Sequence, residues 1–150
     1  MFKLLLFLHL LAAIFAVGPL VGAATTASRA IRTPDAGAAR SAARMIRLYS
    51  IVSIVVVIIG MGLMSQKAPW DSSEEVAKIG DTWIWLSLLL WACAMAVALG
   101  LLAPSLARAS VEIGGGGTAS GLVARVAAAG GAIGLIYAAI VLLMVYQPGG

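Results

Sequence analysis

The chain has very little of what soluble domains depend on. Only 11% of its 150 residues are charged, whereas 62% are hydrophobic. A soluble domain of this size needs a polar surface that such a composition cannot supply. The sequence therefore excludes a soluble globular protein and predicts a membrane protein.

Cysteine and histidine occur once each, as Cys93 and His9. A single cysteine cannot form an intrachain disulfide, and so it carries no information about the redox compartment. One histidine excludes a bis-histidine haem site within the chain, and no nucleophile motif accompanies it for a hydrolytic triad. The thiol and the methionines offer soft ligands to copper, but no paired spacing supports such a site. We predict that the chain is not an enzyme and that it holds no metal and no cofactor.

Long apolar runs separated by charged segments make up most of the chain. Reading the runs against their interruptions predicts four transmembrane helices, over residues 4–24, 48–64, 83–103 and 122–146. The first run is long enough to cross a bilayer, since a helix rises about 1.5 Å per residue and the hydrocarbon core is about 30 Å thick. It is also longer than a signal-peptide core of about 7–15 residues. The sequence thus predicts an all-α polytopic membrane protein, with its four helices in one bundle.

Basic residues are distributed unevenly between the two sides of these spans. Seven arginines fall on one side and three lysines on the other. Because positively charged loops stay in the cytoplasm, we expect both chain termini on the outer side of the membrane. The excess of arginine over lysine, with abundant alanine and glycine, is typical of GC-rich bacterial genes. We therefore expect a multi-pass protein of the bacterial plasma (inner) membrane.

Five of these arginines lie in the connection between the first two spans, beside a single acid, Asp35. Charges that flank spans serve topology, and so we do not expect nucleic acid as a partner. We predict that they contact anionic lipid headgroups, and the alternative is docking of an acidic partner. The five residues are Arg29, Arg32, Arg40, Arg44 and Arg47.

Two connections carry signals for helix ends. Thr33 followed by Pro34 predicts a capping hydroxyl and a proline at the first helical position, so that the second helix begins before the membrane. In the next connection, Ser72 with Glu75 fits a capping box and Gly80 fits a helix stop. These signals predict a short surface helix between the second and third spans.

Small residues form stripes on the first and fourth spans. Gly18 and Gly22, spaced by four, fall nearly opposite His9 on the first helix. Such spacing lets helix backbones approach closely, which is how helices associate in lipid. We predict that the His9 face points into the bundle, because an imidazole is costly in lipid, and that the glycine face meets a partner. Gly130 and Gly134 of the fourth span are predicted to be packing positions of the same kind.

His9 is the one ionisable side chain well inside a span. At the helical rise it lies about 10 Å from the outer end of its helix, and Trp91 and Tyr137 lie about 13 Å from theirs. We therefore predict that the three residues share one layer. The layer is either a hydrogen-bonded packing network or a site for a quinone, a haem or a lipid headgroup.

A resemblance to a known family rests on loose motifs spread over most of the chain. They are Phe7-Leu8-His9-Leu10, Ala12-Ala13 and Val17-Gly18, the arginine-rich connection, Trp85, Trp91 and Ala103-Pro104. Together they resemble bacterial four-helix integral membrane proteins that are distantly similar to copper-resistance D-like proteins and to a haem-associated protoporphyrinogen oxidase. The resemblance implies a functional position at His9. The oxidase group also has a lysine in a later helix, and the third span here has none.

Two functions are consistent with these features. The first is a non-catalytic accessory subunit that stabilises a larger membrane complex, such as a lipid transporter or a respiratory assembly, through helix packing. The alternative is a small haem-, quinone- or copper-binding membrane protein centred on His9. The surplus of small-residue contact surface without catalytic groups favours the first hypothesis.

Overall fold

The computed structural model describes residues 1–67 and 76–148, and its regular elements there are all helices. In chain order they are α1 (Phe2–Arg32), α2 (Ala36–Met64), α3 (Thr82–Val97), a π-helical turn (Ala98–Leu102), α4 (Ala103–Gly114), a 3-10 turn (Ser120–Leu122) and α5 (Val123–Tyr146). Four continuous helical stretches are long and apolar enough to cross a membrane. The predictions of an all-helical chain and of four apolar spans are confirmed.

The first two helices extend well beyond their apolar runs and leave only three residues between them. Helix α2 begins at Ala36, as expected for a helix that starts before the membrane. The prediction that the Thr33 hydroxyl caps the N-terminus of α2 is wrong, because the N-cap residue is Asp35. The Asp35 carboxylate accepts a hydrogen bond from the Ala38 N–H at 2.8 Å, which is the bond an N-cap makes. The Thr33 hydroxyl instead donates to the Arg29 carbonyl at 2.9 Å and belongs to the end of α1.

A surface helix was expected before the third span. Its predicted capping box, Ser72 with Glu75, lies outside the described residues. Residues 76–80 are described and are not helical, since only residues 79 and 80 form a turn, so the helical prediction is wrong there. The Lys78 N–H donates to the Asp81 carboxylate at 2.8 Å, and the Asp81 N–H donates to the Lys78 carbonyl at 3.0 Å. These two bonds close a turn directly before α3, where Asp81 is the N-cap residue.

Helices α1, α2 and α5 run side by side, whereas the third stretch changes neighbours along its length. Helix α3 packs against α5, and α4 packs against α2. The change falls at the π turn that precedes Pro104. Proline has no N–H and its ring clashes with the carbonyl four residues before it, so a wider turn at this position accommodates it. As a result, α2 and α3 make almost no close backbone contact.

We call the end of the molecule where α1 ends and α2 begins the arginine end, and the opposite end the terminal end. The hydrophobic core is concentrated toward the arginine end. On α1 the buried residues begin at Ala16, and on α2 they stop at Val56. The largest fully buried side chains include Leu20, Ile31, Ile46, Leu102, Leu106, Val126 and Ile133. The first half of α1 therefore contributes little to the core and presents large apolar side chains outward.

Candidate functional site

His9 is half-buried and leans against the backbone of α2. Its Nδ1 lies 3.1 Å from the Val56 carbonyl oxygen. A carbonyl only accepts hydrogen bonds, so Nδ1 carries a proton, and a neutral ring with this bond has its lone pair on Nε2. The neighbouring Gly60 makes room for the ring, because a Cβ at that position would lie 3.0 Å from the His9 Cε1.

Ser53 of α2 lies at the centre of a second polar cluster. The Trp91 indole Nε1–H donates to its hydroxyl at 3.1 Å, and that hydroxyl donates to the Ser50 carbonyl at 2.6 Å. The Met95 sulfur lies 3.6 Å from the same oxygen. Ser53 is fully enclosed, with 1% of its surface exposed. The Trp91 to Ser53 bond therefore links α3 to α2 where their backbones are apart.

Sequence reasoning did not single out Ser53, although a signal was present. Ser50 and Ser53 are three residues apart in the otherwise apolar run that begins with Tyr49, and residues at this spacing share one helix face. Both are buried, on the side of α2 that faces the other helices. Hydroxyls on one face of a membrane helix are a reason to expect a hydrogen-bonded contact there.

Tyr137 of α5 also points to this cluster. Its side chain is buried, and its hydroxyl is close to Ser53. Even so, no atom of the described residues meets the distance and angle of a hydrogen bond to that hydroxyl. Tyr137 thus brings a third helix next to the Ser53 cluster.

The predicted layer of three residues is divided between two turns of α2. Trp91 and Tyr137 both converge on Ser53, whereas His9 contacts the carbonyl of Val56, three residues farther along. At the helical rise this step is about 4.5 Å toward the terminal end. The His9 contact and the Ser53 cluster are therefore adjacent along α2 and use different groups.

The four glycines predicted as packing positions fall into two pairs. Gly18 and Gly22 are exposed, and among the described residues no atom lies within 4 Å of a Cβ built on either. Gly130 instead lies against the Ala24 backbone, and a Cβ on Gly134 would lie 3.3 Å from the Thr25 side chain. Gly130 and Gly134 therefore join α5 to α1 within the chain, which corrects their assignment to a partner surface.

A groove of about 600 Å³ runs between α1 and α2 near the arginine end. Gly22 lies in its wall, and Arg29 and Asp35 lie on the same lining. The other residues that line the groove are mostly small, among them Ala23, Thr26, Ala38, Ser41 and Ala42. The exposed glycine face of α1 is therefore continuous with a shallow, largely apolar groove.

All five predicted arginines are exposed at this end of the molecule. Arg29 and Arg32 occupy the last turn of α1, where a cation interacts favourably with the helix dipole. The other three, Arg40, Arg44 and Arg47, follow one side of α2 and are free to reach a headgroup layer. This arrangement produces a basic collar around the arginine end.

Within residues 1–67 and 76–148, no three histidine, cysteine or acidic side chains are grouped so that they could hold a metal ion. Comparisons with protein-family models, with curated proteins and with solved structures gave no match.

Proposed function

We propose that the chain is a non-catalytic accessory subunit that stabilises a larger membrane complex of the bacterial envelope, such as a lipid transporter or a respiratory assembly. The observation that supports this most directly is the exposed glycine face of α1, formed by Gly18 and Gly22 beside the groove between α1 and α2.

The two glycine pairs differ in whether a neighbouring helix already covers them. Lipid tails provide no hydrophobic drive for helix association, and so close packing through small residues is a main source of contact energy. At Gly130 the chain already uses that contact, since α5 lies against the backbone of α1 there. Gly18 and Gly22 offer the same kind of surface and leave it open to a neighbouring helix.

Orientation and lipid contacts follow from the basic collar. Four spans in one bundle, with the arginine end in the cytoplasm and both termini outside, agree with the positive-inside rule. In this orientation the exposed arginines of α1 and α2 lie at the height of anionic headgroups of the inner leaflet. Membrane lipids and a neighbouring integral membrane complex are then the partners of this chain.

Substitution on the glycine face tests the proposal. Gly18→Leu or Gly22→Leu should release the tagged chain from its complex in mild detergent, as measured by affinity purification and mass spectrometry. The chain itself should keep its unfolding temperature, because both positions have open space in the described structure. Gly131→Leu on α5 is the matched control, since that glycine is also exposed and open. Full co-purification of the Gly22→Leu protein, with release of the His9→Leu protein, would show that the two faces are assigned wrongly.

The contact between His9 and Val56 favours a second candidate, a small haem-, quinone- or copper-binding protein. A histidine that ligates a metal usually donates its other ring N–H to a carbonyl or carboxylate, which fixes the ring. His9 has that bond to Val56 and keeps the Nε2 lone pair. An optical spectrum and a metal analysis of the purified chain separate the candidates. A stoichiometric Soret band or copper content that disappears in the His9→Leu protein would favour the second one.

A further inference from the structure

The groove between α1 and α2 changes character along its length. Toward the arginine end its lining includes Arg29, Thr33 and Asp35, whereas deeper in the molecule it includes Gly22 and Pro19. Along α1, Pro19 lies about 15 Å from Arg29 at the helical rise. A molecule that fills this groove therefore needs a polar end and an apolar part of about that length.

Arg29 and Asp35 place opposite charges at the polar end of the groove. Among the described residues that line it, these two are the charged ones, and both are exposed. Backbone hydrogen bonds fix the chain between them. The Thr33 N–H donates to the Arg29 carbonyl, and the Asp35 N–H donates to the Ala30 carbonyl, each at 3.0 Å. A ligand in the groove therefore meets one positive and one negative side chain at the same end.

Both charged groups have hydrogen-bonding capacity for a ligand. The Asp35 Oδ1 accepts the Ala38 N–H at 2.8 Å, which is the cap of α2. An ionised carboxylate has about four acceptor sites on its two oxygens, so it can cap the helix and also accept from an ammonium group. The Arg29 guanidinium is a planar set of donors that suits a phosphate. Together the two side chains are complementary to a headgroup that carries a phosphate and a primary ammonium.

The rest of the lining suits an acyl chain. Small side chains leave a groove of about 600 Å³ between the helices, and Met45 adds an apolar side chain from α2. The Thr26 hydroxyl donates to the Gly22 carbonyl at 2.7 Å, so its hydrogen is not available to a ligand. A soluble zwitterion would leave this apolar surface uncovered. An anionic lipid would bring its negative headgroup to the Asp35 carboxylate, where like charges repel.

We propose that the groove between α1 and α2 binds one zwitterionic aminophospholipid of the surrounding membrane. Arg29 donates to its phosphate, the Asp35 carboxylate accepts from its primary ammonium, and one acyl chain lies along the small residues toward Pro19. Arg29 thereby differs from the other arginines of the basic collar, which have no acid beside them in the groove lining. The site belongs to the isolated chain and does not depend on the accessory role.

Lipid competition on the delipidated full-length chain tests the headgroup contacts. The chain is mixed in detergent with equal amounts of phosphatidylethanolamine, phosphatidylcholine and phosphatidylglycerol of the same acyl chains, and bound lipid is counted by native mass spectrometry. Phosphatidylethanolamine should be retained about three- to fivefold more than either other lipid, the range for an exposed ion pair. Asp35→Asn keeps a capping oxygen and should abolish the preference over phosphatidylcholine, whose quaternary ammonium has no N–H. Arg29→Gln should lower retention of both lipids, and the control Arg40→Gln, an exposed arginine outside the groove lining, should change neither.

A bulky side chain tests whether the lipid lies in the groove. Ser41 lines the groove and is exposed, so Ser41→Trp should fill it and lower retention of phosphatidylethanolamine at least threefold. Leu48→Trp is the matched control, at an exposed position of the same helix outside the groove lining, and should retain the lipid. Stronger retention of phosphatidylglycerol by the parent chain, or an unchanged preference in the Asp35→Asn protein, would overturn the proposal. Unchanged lipid retention by the Ser41→Trp protein together with its release from a larger complex would assign the groove to a partner helix instead.

Discussion

Gly130 of α5 lies directly against the backbone carbonyl of Ala24 on α1, so closely that a side chain at position 130 would occupy the space of the carbonyl oxygen. The backbone of a helix cannot move away as the end of a flexible side chain can. The absence of a Cβ at this position therefore allows α1 and α5 to lie this close together.

The first prediction concerns this contact. Gly130→Ala should destabilise the chain by about 1–3 kcal/mol, the usual cost of inserting bulk into a packed contact, and should be detected by thermal unfolding in detergent. Gly131→Ala is the control, because Gly131 is exposed and has open space. It should be neutral or slightly stabilising, since alanine favours a helix over glycine by about 1 kcal/mol. Equal effects of the two substitutions would contradict the close contact.

The second prediction concerns the hydrogen bond of His9. His9→Leu should destabilise the chain by about 0.6 kcal/mol, the average for hydrogen bonds between membrane helices. His9→Asn should lose less, because its amide N–H₂ can donate to the Val56 carbonyl from nearly the same place as Nδ1. Thermal unfolding of the three proteins provides the comparison. A loss in the asparagine protein equal to that of the leucine protein would argue against this bond.

A third prediction uses the glycine beside the imidazole. Gly60→Ala should displace His9, because its Cβ would lie 3.0 Å from Cε1, whereas Gly62→Ala has open space within the described part of the chain. The shift should appear as a change in the His9 ring resonances by NMR for the first substitution alone. Unchanged resonances in the Gly60→Ala protein would mean that the ring does not rest on Gly60.

The fourth prediction concerns the start of α2. Asp35→Ala should cost about 1 kcal/mol, because the Ala38 N–H loses its acceptor. Asp35→Asn retains an accepting oxygen and should keep most of the stability, as measured by the same unfolding experiment. Thr33→Ala, in contrast, should leave the start of α2 unchanged, since Thr33 bonds back to α1.

The fifth prediction concerns orientation. Reporters that are active only outside the cytoplasm should be active when fused after Gly150, and fusions within residues 36–39 should report the cytoplasm. The reason is the excess of arginine in the short connection between α1 and α2. The reverse pattern would place the basic collar outside and would overturn the assignment of both termini.

The apolar runs were sufficient to predict the four helical spans. Transfer of a helix into lipid depends mainly on the hydrophobicity of its own residues, so that each span can be read without its neighbours. The helix ends were harder to predict. Thr33 and Asp35 both carry oxygens suited to a cap, and only the backbone path shows that α2 begins directly after Asp35, whose carboxylate accepts the Ala38 N–H. The extension of α1 to Arg32 was also hard to predict, because it depends on local hydrogen bonds beyond the end of the apolar run.

The roles of the polar and small residues depended on the tertiary structure. The sequence indicated that His9, Trp91 and Tyr137 lie at similar depths, but the rotation and crossing of the helices decide which groups meet. That geometry places Ser53 between Trp91 and Tyr137 and turns His9 toward a backbone carbonyl one turn away.

The roles of the glycines also depended on the tertiary structure. Gly18, Gly22, Gly130 and Gly134 are indistinguishable as sequence signals, because each pair has the spacing that allows close helix approach. By itself, the sequence determined that the chain consists of apolar helices with small-residue faces and a basic collar. Only the tertiary structure decided that one glycine pair is used between α5 and α1 while the other faces outward. The physical reason is that a contact between helices depends on how both are rotated and how they cross, and the residues of one helix do not fix either quantity.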